Sequence, residues 1–548
     1  MQLIQKFIFL LLFSLISLSL WAQNDKKVDI GRLTGSLEAN ANFFSRDSSI
    51  GAFNIPQYEN QLYGAESWLQ LNYSNNAWGL EAGLRFDLYS NSNLIDPNNA
   101  SSGQGIGRWY IKKKLKKLTI SGGYLYDQIG SGIIFRSWES RPLAVDNSLY
   151  GIRLNYAITD DWQVKVFSGK QRHIDAFVNP DQTGPPLFDA IIRGASIDGF
   201  ISGGEDKNWS IAPGVGVVAK TMADSDIEKV VNAVKFYATD DLIEPQYNSY
   251  ATSVYNTLSA GKFSWYAEGA YKTKDIVNNV DGLLTNNTGT VAYTSLTYAT
   301  KGLGIVLDAK RTENFAFRTN PFTVQRGAIN FLPPMNRINT YRLTSRYVAA
   351  TQELGEKAVQ LDISYLPNKK TGIAVNFSNI TDLEDELLYR EVYTEFYYKQ
   401  KRKWVLKTGV QYQEYNQSVF ELKDVPLLKA VTPYADFLYK FSRRKSIRVE
   451  GQYMSTEQDF GSWAFGLVEL NWGKNWSFVI SDMYNAKPTK QSNFEKNHYP
   501  RFDVFYKYHS NRFSLSYVKQ VEGVVCTGGI CRLEPAFSGV KFTVNSSF

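Results

Sequence analysis

The final stretch of the chain, "FSGVKFTVNSSF" (537–548), carries the pattern that decides the fold. Its apolar residues Val540, Phe542 and Val544 alternate with polar ones, and the last residue, Phe548, is aromatic. Strict alternation means that the two faces of a β-strand meet two unlike environments. Chain ends are usually polar and frayed, so this stretch predicts a terminal strand with a structural role.

The same alternation recurs along the sequence in segments of about ten residues, the length of a strand that crosses a membrane. Examples are "LTGSLEANANF" (33–43), "WGLEAGLRFDLY" (78–89), "WQVKVFSGKQ" (162–171), "FSWYAEGAYK" (263–272) and "WVLKTGVQY" (404–412). The chain has 34 Tyr, 33 Phe and 12 Trp, and aromatic residues favour strands. A soluble sandwich would alternate in the same way, so alternation alone leaves both classes open.

The N-terminal stretch "MQLIQKFIFLLLFSLISLSLWAQ" (1–23) has one lysine, Lys6, before an apolar run. It predicts a secretory signal peptide cleaved near Ala22 or Gln23, with a membrane anchor as the alternative. Residues 24–30 would then be a short periplasmic segment, too short for an N-terminal plug or an energy-coupling domain, which argues against active uptake. After the leader no window approaches about 18 consecutive apolar residues, which excludes a helical membrane protein.

Connection lengths favour a barrel over a sandwich. A short connection, "SNNA" (74–77), precedes a long one near 90–107, and "TDD" (159–161) precedes another near 173–194. Outer-membrane barrels have short periplasmic turns and longer extracellular loops. With both termini on the short-turn side, about eleven short turns predict an all-β, antiparallel up-and-down barrel of about 24 strands, within two either way, over residues 31–548.

Six tryptophans follow short turns directly or closely, at one phase of the repeat. Indole prefers the boundary between membrane and water, so they predict an interface girdle, although any single one could be a core residue. The short turns are also basic, as in "KQKRK" (399–403); these residues are either simply solvated turn residues or contact anionic lipid head groups of the inner leaflet of the outer membrane. The girdle residues are Trp78, Trp162, Trp209, Trp265, Trp404 and Trp476.

The terminal strand resembles the recognition signal of outer-membrane barrel proteins. The resemblance implies that Phe542, Val544 and Phe548 are read by the barrel-assembly machinery, and that this strand closes the barrel on the strand 33–43.

Two further stretches, "GYLYDQIGSGIIFRSWESRPLAVDNSLYG" (123–151) and "VVCTGGICRLEPAFSGVKF" (524–542), resemble an uncharacterised family of Bacteroidetes outer-membrane proteins. The resemblance spans the mature chain. It implies the fold and an integral location in the bacterial outer membrane, and it carries no catalytic residues.

The two cysteines, Cys526 and Cys531, have the spacing C-x4-C. A redox motif of the C-x-x-C type fits poorly, and four zinc ligands are not available nearby. In an oxidising envelope a disulfide is favoured, and the Gly-Gly between the cysteines permits a tight turn. It would either stiffen a surface loop that presents Arg532 and Glu534, or pin the last hairpin.

One loop, "GSGIIFRSWESRPL" (130–143), is unusual because apolar and charged residues share it. Two interpretations stay open: the loop folds into the lumen and pairs its charges, or it packs against neighbours at the surface. The long segments 222–248 and 314–357 are further candidates for filling the lumen. The candidate lumen-packing residues are Ile133, Ile134, Phe135, Arg136, Trp138, Glu139 and Arg141.

Catalysis finds little support. His173, His498 and His509 are far apart, and no Ser-His-acid set, metal site or cofactor motif is identifiable. The lumenal charges, from Glu81 to Glu450, mix both signs, which predicts no strong ion selectivity. A net charge of +7 is mild for this length and does not suggest nucleic acid.

We expect a non-enzymatic, porin-like passive channel for small or amphipathic solutes. The alternative is a non-conducting barrel subunit or docking platform of a larger envelope secretion or assembly complex, with envelope proteins as partners.

Overall fold

The computed structural model describes residues 31–173, 186–204, 208–237, 243–279, 282–323, 327–489, 496–527 and 530–548. The predicted signal peptide (1–23) and periplasmic segment (24–30) lie outside these residues.

Twenty-four long antiparallel strands form one closed sheet, and a two-residue strand, Ile201–Ser202, extends the eighth. In chain order the strands β1 to β24 are Arg32–Phe44, Tyr63–Asn75, Leu80–Ser92, Ser101–Leu115, Leu118–Leu125, Leu149–Ala157, Trp162–Arg172, Leu187–Gly199, Trp209–Thr221, Asn248–Ala260, Phe263–Asn278, Leu284–Thr300, Leu303–Glu313, Gly355–Tyr365, Thr371–Thr381, Leu387–Gln400, Trp404–Tyr415, Leu428–Ser442, Lys445–Met454, Ser462–Trp472, Trp476–Lys487, His498–Tyr508, Asn511–Gln520 and Phe537–Ser547.

The barrel closes between its first and last strands. β24 pairs with β1 in antiparallel register, with Val540 opposite Phe43 and Ser547 opposite Ser36. Phe548 then continues the ladder: its N–H donates to the Gly35 carbonyl at 3.0 Å, and the Gly35 N–H donates to the Phe548 carbonyl at 2.8 Å. The prediction of a closed up-and-down barrel of about 24 strands is confirmed.

The two rims of the barrel differ. One rim, the turn rim, has short connections such as 116–117, 261–262 and 443–444. The opposite rim, the loop rim, carries the long loops 45–62, 126–148 and 314–354, although some of its connections are short as well. The alternation of long and short connections therefore corresponds to two ends of one wall.

Side chains along each strand alternate between an apolar outer face and the lumen. In β10 the outward Val254 is 64% exposed and the outward Tyr250 is also exposed, whereas the inward Ala251 and Tyr255 are buried. Large apolar residues cover the outer face of distant strands too, for example Ile152, Val215, Ile480 and Leu515. The lumen-facing residues between them are mostly polar or charged.

The loops contain the remaining regular structure. The helices are a 3-10 helix, Ser48–Ile50, a π-helix, Gln57–Gln61, and the α-helices α1, Asp224–Val234, and α2, Gln417–Phe420. Short strands pair as Asp127–Ile129 with Phe135–Ser137, Glu139–Ser140 with Val145–Asp146, and Gly523–Thr527 with Ile530–Glu534. In the described part of the chain no helix has the length and apolar character needed to cross a membrane.

The helix α1 covers part of the loop rim. Its apolar face buries Val230 and Val234 against Ile276 and Leu284, at the ends of β11 and β12. The segment 222–248 was predicted to fill the lumen, but its helix α1 packs on the ends of these strands instead.

Burial of the inward side chains changes along the barrel axis. In β17, Gln411 and Gln413 near the loop rim are buried, whereas the side chain of Lys407, nearer the turn rim, is 41% exposed. In β14, Glu356 is buried but the Asp362 side chain is 34% exposed. The lumen is thus filled towards the loop rim and open to solvent towards the turn rim.

Candidate functional site

Three loops fold into the lumen and pack together as a plug, which consists of residues 45–62, 126–148 and the described residues of 314–354. Below it, towards the turn rim, the inward-facing side chains line a solvent-accessible vestibule. The plug and the vestibule are the candidate functional site.

One apolar cluster fixes loop 126–148 to the wall. Phe135 packs against Phe167 of β7 with ring centroids 4.4 Å apart, and Ile133 and Ile134 have no exposed surface. The cluster also contains Phe315, Phe317, Ile329 and Leu332 of loop 314–354 and the wall residues Ile192, Val218, Ala251 and Val291. Burying each large apolar side chain contributes about 1.5–3 kcal/mol, so this contact stabilises the inward position of the loop.

A second apolar cluster lies on the other side of the lumen. It joins Ile50 and Tyr58 of loop 45–62 to Leu343 and Tyr347 of loop 314–354. The wall contributes Tyr389, Tyr415, Leu428, Met454, Trp463 and Tyr499. Loop 314–354 contacts both clusters and therefore crosses the lumen.

Lysines of the wall bind the backbone of this crossing loop. Lys220 donates to the Arg318 carbonyl at 2.9 Å, and Lys272 donates to the Ala316 carbonyl at 2.7 Å. Lys310 donates to the carbonyl of Pro333. These ammonium groups are buried, and Asp275 and Glu356 neutralise them, as a buried charge requires.

Wall glutamines bind the next part of the loop. Gln411 donates to the Thr344 carbonyl at 2.9 Å and Gln413 to the Tyr347 carbonyl at 3.1 Å, while Gln452 accepts from the Leu343 N–H at 2.8 Å. The backbone of an irregular segment inside a barrel needs such partners because buried peptide groups must be hydrogen-bonded. The wall is therefore built to hold this loop.

An ion-pair network holds loop 126–148 against strands β3 and β7. Arg85 of β3 donates to Asp87 at 2.6 Å, to Glu139 at 2.7 Å and to Asp146 at 3.2 Å, and Arg172 of β7 donates to Asp146 at 2.5 Å. Burial alone would raise the pKa of Asp146, but Arg172 and Arg85 lower it below its usual value. The carboxylate is thus held in its charged form.

The structure brings the seven candidate lumen-packing residues into the plug. Besides Ile133, Ile134 and Phe135, the Arg136 guanidinium lies 4.1 Å from the ring centroid of Phe331 and 5.3 Å from that of Trp138. Glu139 accepts from Arg85 and Arg141, and Arg141 also pairs with Glu38 of β1. In the structure this loop folds into the lumen, which was the first of the two interpretations of its sequence.

Sequence reasoning missed loop 45–62 and the wall lysines. Loop 45–62 buries Ile50, Ala52 and Tyr58. The apolar content of loop 45–62 is modest. Lys220, Lys272 and Lys310, by contrast, occupy inward positions of their strands, where a buried lysine needs a polar partner. The inward strand positions of these lysines were therefore the feature of the sequence that could have revealed their contact with a loop inside the lumen.

A pocket opens where the plug meets three other loops near the loop rim. It has a volume of about 290 Å³ and includes Arg342, Arg346, Lys423, Asp459 and Phe460 in its lining. Asp459 accepts from the Tyr347 hydroxyl at 2.8 Å and from Lys423 at 3.2 Å. Burial would raise the pKa of Asp459, but Arg346 and Lys423 lower it.

The predicted girdle residues lie at the turn rim. Trp78, Trp209, Trp265 and Trp476 are exposed, while Trp162 and Trp404 are half-buried. Trp472, which is opposite Trp476 in the adjacent strand, joins them and was missed because it precedes its turn.

The predicted assembly and disulfide residues fall in the last two hairpins. Phe542 and Phe548 are exposed on the outer face, and Val544 shares the outward phase of Phe542 in β24. Cys526 and Cys531 are directly opposite each other in the backbone of their hairpin. Their side chains and the two glycines between them lie outside the described residues.

Across the described ranges, no group of three His, Cys, Asp or Glu residues is placed to hold a metal ion. His498 pairs with Asp482 at 2.6 Å, and the side chains of these two residues are exposed.

Comparison with known proteins gives a family. Residues 4–548 match the model of a family of unknown function, DUF6029. The chain belongs to this family. A search of curated protein sequences finds no match.

Solved structures with a similar arrangement share little sequence. The siderophore receptor PirA from Pseudomonas aeruginosa has a TM-score of 0.40 and 9% identity, with 95% of this chain and 81% of that chain covered. The P pilus usher PapC translocation pore has a TM-score of 0.42 and 8% identity, covering 94% and 99%. OpdK from Pseudomonas aeruginosa, solved with vanillate, has a TM-score of 0.37 and 9% identity, covering 82% and 98%.

Proposed function

We propose that this DUF6029 protein is an integral outer-membrane barrel that works as a narrow passive channel for small or amphipathic solutes. The observation that carries the proposal is the arrangement of the lumen, in which a plug made from the chain's own loops stands above an open, charged vestibule. A barrel of this strand number is wide enough to need filling, so the plug limits what passes.

The membrane location is supported by the outer face of the barrel. Apolar residues cover it, and tryptophans gather at the turn rim, where indole is stabilised between hydrocarbon and water. The N-terminal leader would direct export, with cleavage near Ala22 or Gln23. The barrel should therefore extract only with detergent and migrate differently on gels when unheated; release by carbonate or high salt would contradict membrane integration.

Conductance of the purified full-length protein in a planar lipid bilayer tests the channel. We expect small, steady single-channel currents, because solutes must pass between polar plug residues. An absence of current at all voltages would reject the passive channel.

The second candidate, a non-conducting docking platform or barrel subunit of an envelope complex, has one specific observation in its favour. The two apolar clusters and the buried ion pairs fill much of the lumen near the loop rim. A silent wild-type barrel that co-purifies with envelope proteins in a fixed ratio would select this function.

The cysteine hairpin is proposed to carry a disulfide on the loop rim. Backbone pairing of Cys526 with Cys531 supports it, since directly opposed strand residues lie at suitable separation. Both thiols should resist alkylation in the native protein until a reductant is added. Ready labelling without reductant would reject the bridge.

A further inference from the structure

The vestibule has one acidic side. On strands β13 to β20 six carboxylates face the vestibule, while Glu356 and Glu391 face the lumen at the level of the plug. Two basic side chains lie between these carboxylates: Lys407 contacts Glu395, and Arg448 contacts Asp436 and Glu469. The carboxylates are Asp308, Asp362, Glu395, Asp436, Glu450 and Glu469.

The opposite side of the vestibule is basic. Its inward-facing residues include Arg108, Lys112, Arg153, Lys165 and Lys541. Both sides still contain both signs, as expected from the sequence, because Arg448 contacts Asp436 and Lys112 contacts Glu81; carboxylates predominate on one side and bases on the other. The closure of β24 on β1 places the basic strands from both ends of the chain side by side.

Tyrosines accompany the carboxylates of the acidic side. Tyr393 donates to Glu395 at 3.0 Å, Tyr434 donates to the same carboxylate at 3.3 Å, and Tyr341 donates to Asp436 at 3.3 Å. The rings of Tyr341 and Tyr434 lie 4.4 Å apart, and those of Tyr393 and Tyr434 are stacked at 5.6 Å. The three rings are themselves buried, and they lie directly beside the negative charge.

An organic cation of the chain itself occupies part of this surface. Arg337, on the plug loop 314–354, places its guanidinium carbon 4.3 Å from the ring centroid of Tyr393. A nitrogen of the same group lies 3.5 Å from Asp362. The Arg337 side chain is 28% exposed, so it lies at the solvent boundary of the plug and not within its core.

We propose that this tyrosine and carboxylate surface binds organic cations that carry a guanidinium or ammonium group on an apolar body. The ring face attracts a cation through its quadrupole, the carboxylate supplies the opposite charge, and a guanidinium is weakly hydrated and so leaves water readily. Arg337 shows the geometry in which such a group is held. Transport of such cations rests on the proposed channel function, whereas their binding to the barrel does not.

Calorimetric titration of the detergent-purified, full-length barrel with benzamidinium chloride tests the site. Replacing Arg337→Ala removes the internal competitor, and we expect tighter binding by severalfold. The double variant Tyr393→Leu with Asp362→Asn should weaken binding tenfold or more. The matched control is Glu81→Gln, a lumenal carboxylate on the basic side that pairs with Lys112, and its affinity should equal that of the wild type.

Each variant is first checked for heat-modifiable gel migration, so that loss of binding is not loss of folding. Equal affinity in all variants, or equally tight binding of benzoate, would overturn the site. Benzamidinium binding by a barrel that carries no current would support the site while rejecting the channel.

Discussion

Lys272 shows at the scale of one residue how the wall and the plug depend on each other. Its ammonium group is buried, where water does not solvate it, and it contacts the Ala316 carbonyl and the Asp275 carboxylate instead. An uncompensated buried group costs about 1–3 kcal/mol. The position could be read from the strand phase, but its partner, 44 residues away, could not, because no local pattern encodes a contact across a lumen.

We expect Lys272→Met to loosen the plug and to raise the conductance, because Asp275 and the Ala316 carbonyl lose a donor. Single-channel recording of the variant checks this. Lys262→Met, at an exposed turn-rim position, is the control and should behave as the wild type. Equal currents in both variants would show that the lysine does not hold the loop.

Gly216 of β9 gives a steric test of the same packing. A Cβ there would lie 2.3 Å from Cγ2 of Ile129 and 3.2 Å from Cδ1 of Ile134, so Gly216→Ala should push loop 126–148 away from the wall. Hydrogen exchange of residues 126–148 should become faster. Gly269→Ala, where a Cβ would meet no atom within 4 Å, should leave exchange unchanged, and the same result for Gly216→Ala would contradict the packing.

At the scale of elements, the strands followed from the sequence and the paths of the loops did not. Period-two alternation located the strands because each strand meets lipid-like and lumenal surroundings on its two faces. The apolar residues of 130–143 and 314–357 marked those segments as unfit for solvent. Which wall residues they contact depends on the ring order of distant strands, as when Gln452 accepts from Leu343, and that order exists only in the closed barrel.

The loop carboxylates predict a response to acid. The folded pKa values of Asp146 and Asp459 are lowered by their arginine and lysine partners, from an unfolded value of about 3.9. A lowered folded pKa means that the stabilisation is complete above the unfolded pKa and is lost as the pH falls through the folded pKa. Loop protection against protease should therefore persist from pH 7 down to about pH 4 and decline below it. Loosening that begins near pH 6 would point to other groups.

At the scale of the whole molecule, the rhythm of connections predicted the strand number because every second connection must return at the same rim. Closure on the first strand was implied by the resemblance of the terminal strand to those of outer-membrane barrels, and Phe548 extends that seam through Gly35. The wall contacts of the plug and the unequal distribution of lumenal charge could not be predicted, since both arise when strands distant in sequence become neighbours around a ring.

Deletion of Phe548 should lower the amount of protein in the membrane, because the residue extends the closing seam and belongs to the proposed assembly signal. Quantitative blotting of membrane fractions measures this. Ser546→Ala, in the same strand, is the control, and unchanged abundance after the deletion would argue against an assembly role.

The most direct test of the account is the conductance of a barrel without its crossing loop. Glu313 and Gly355 are directly paired at the ends of β13 and β14, so a short Asn-Gly turn can replace residues 314–354 without disturbing the wall. Because a barrel of this width is open unless filled, we predict single-channel currents about fivefold or more above those of the wild type, from protein that still shows heat-modifiable migration. Wild-type currents from the shortened barrel would contradict the claim that this loop narrows the lumen.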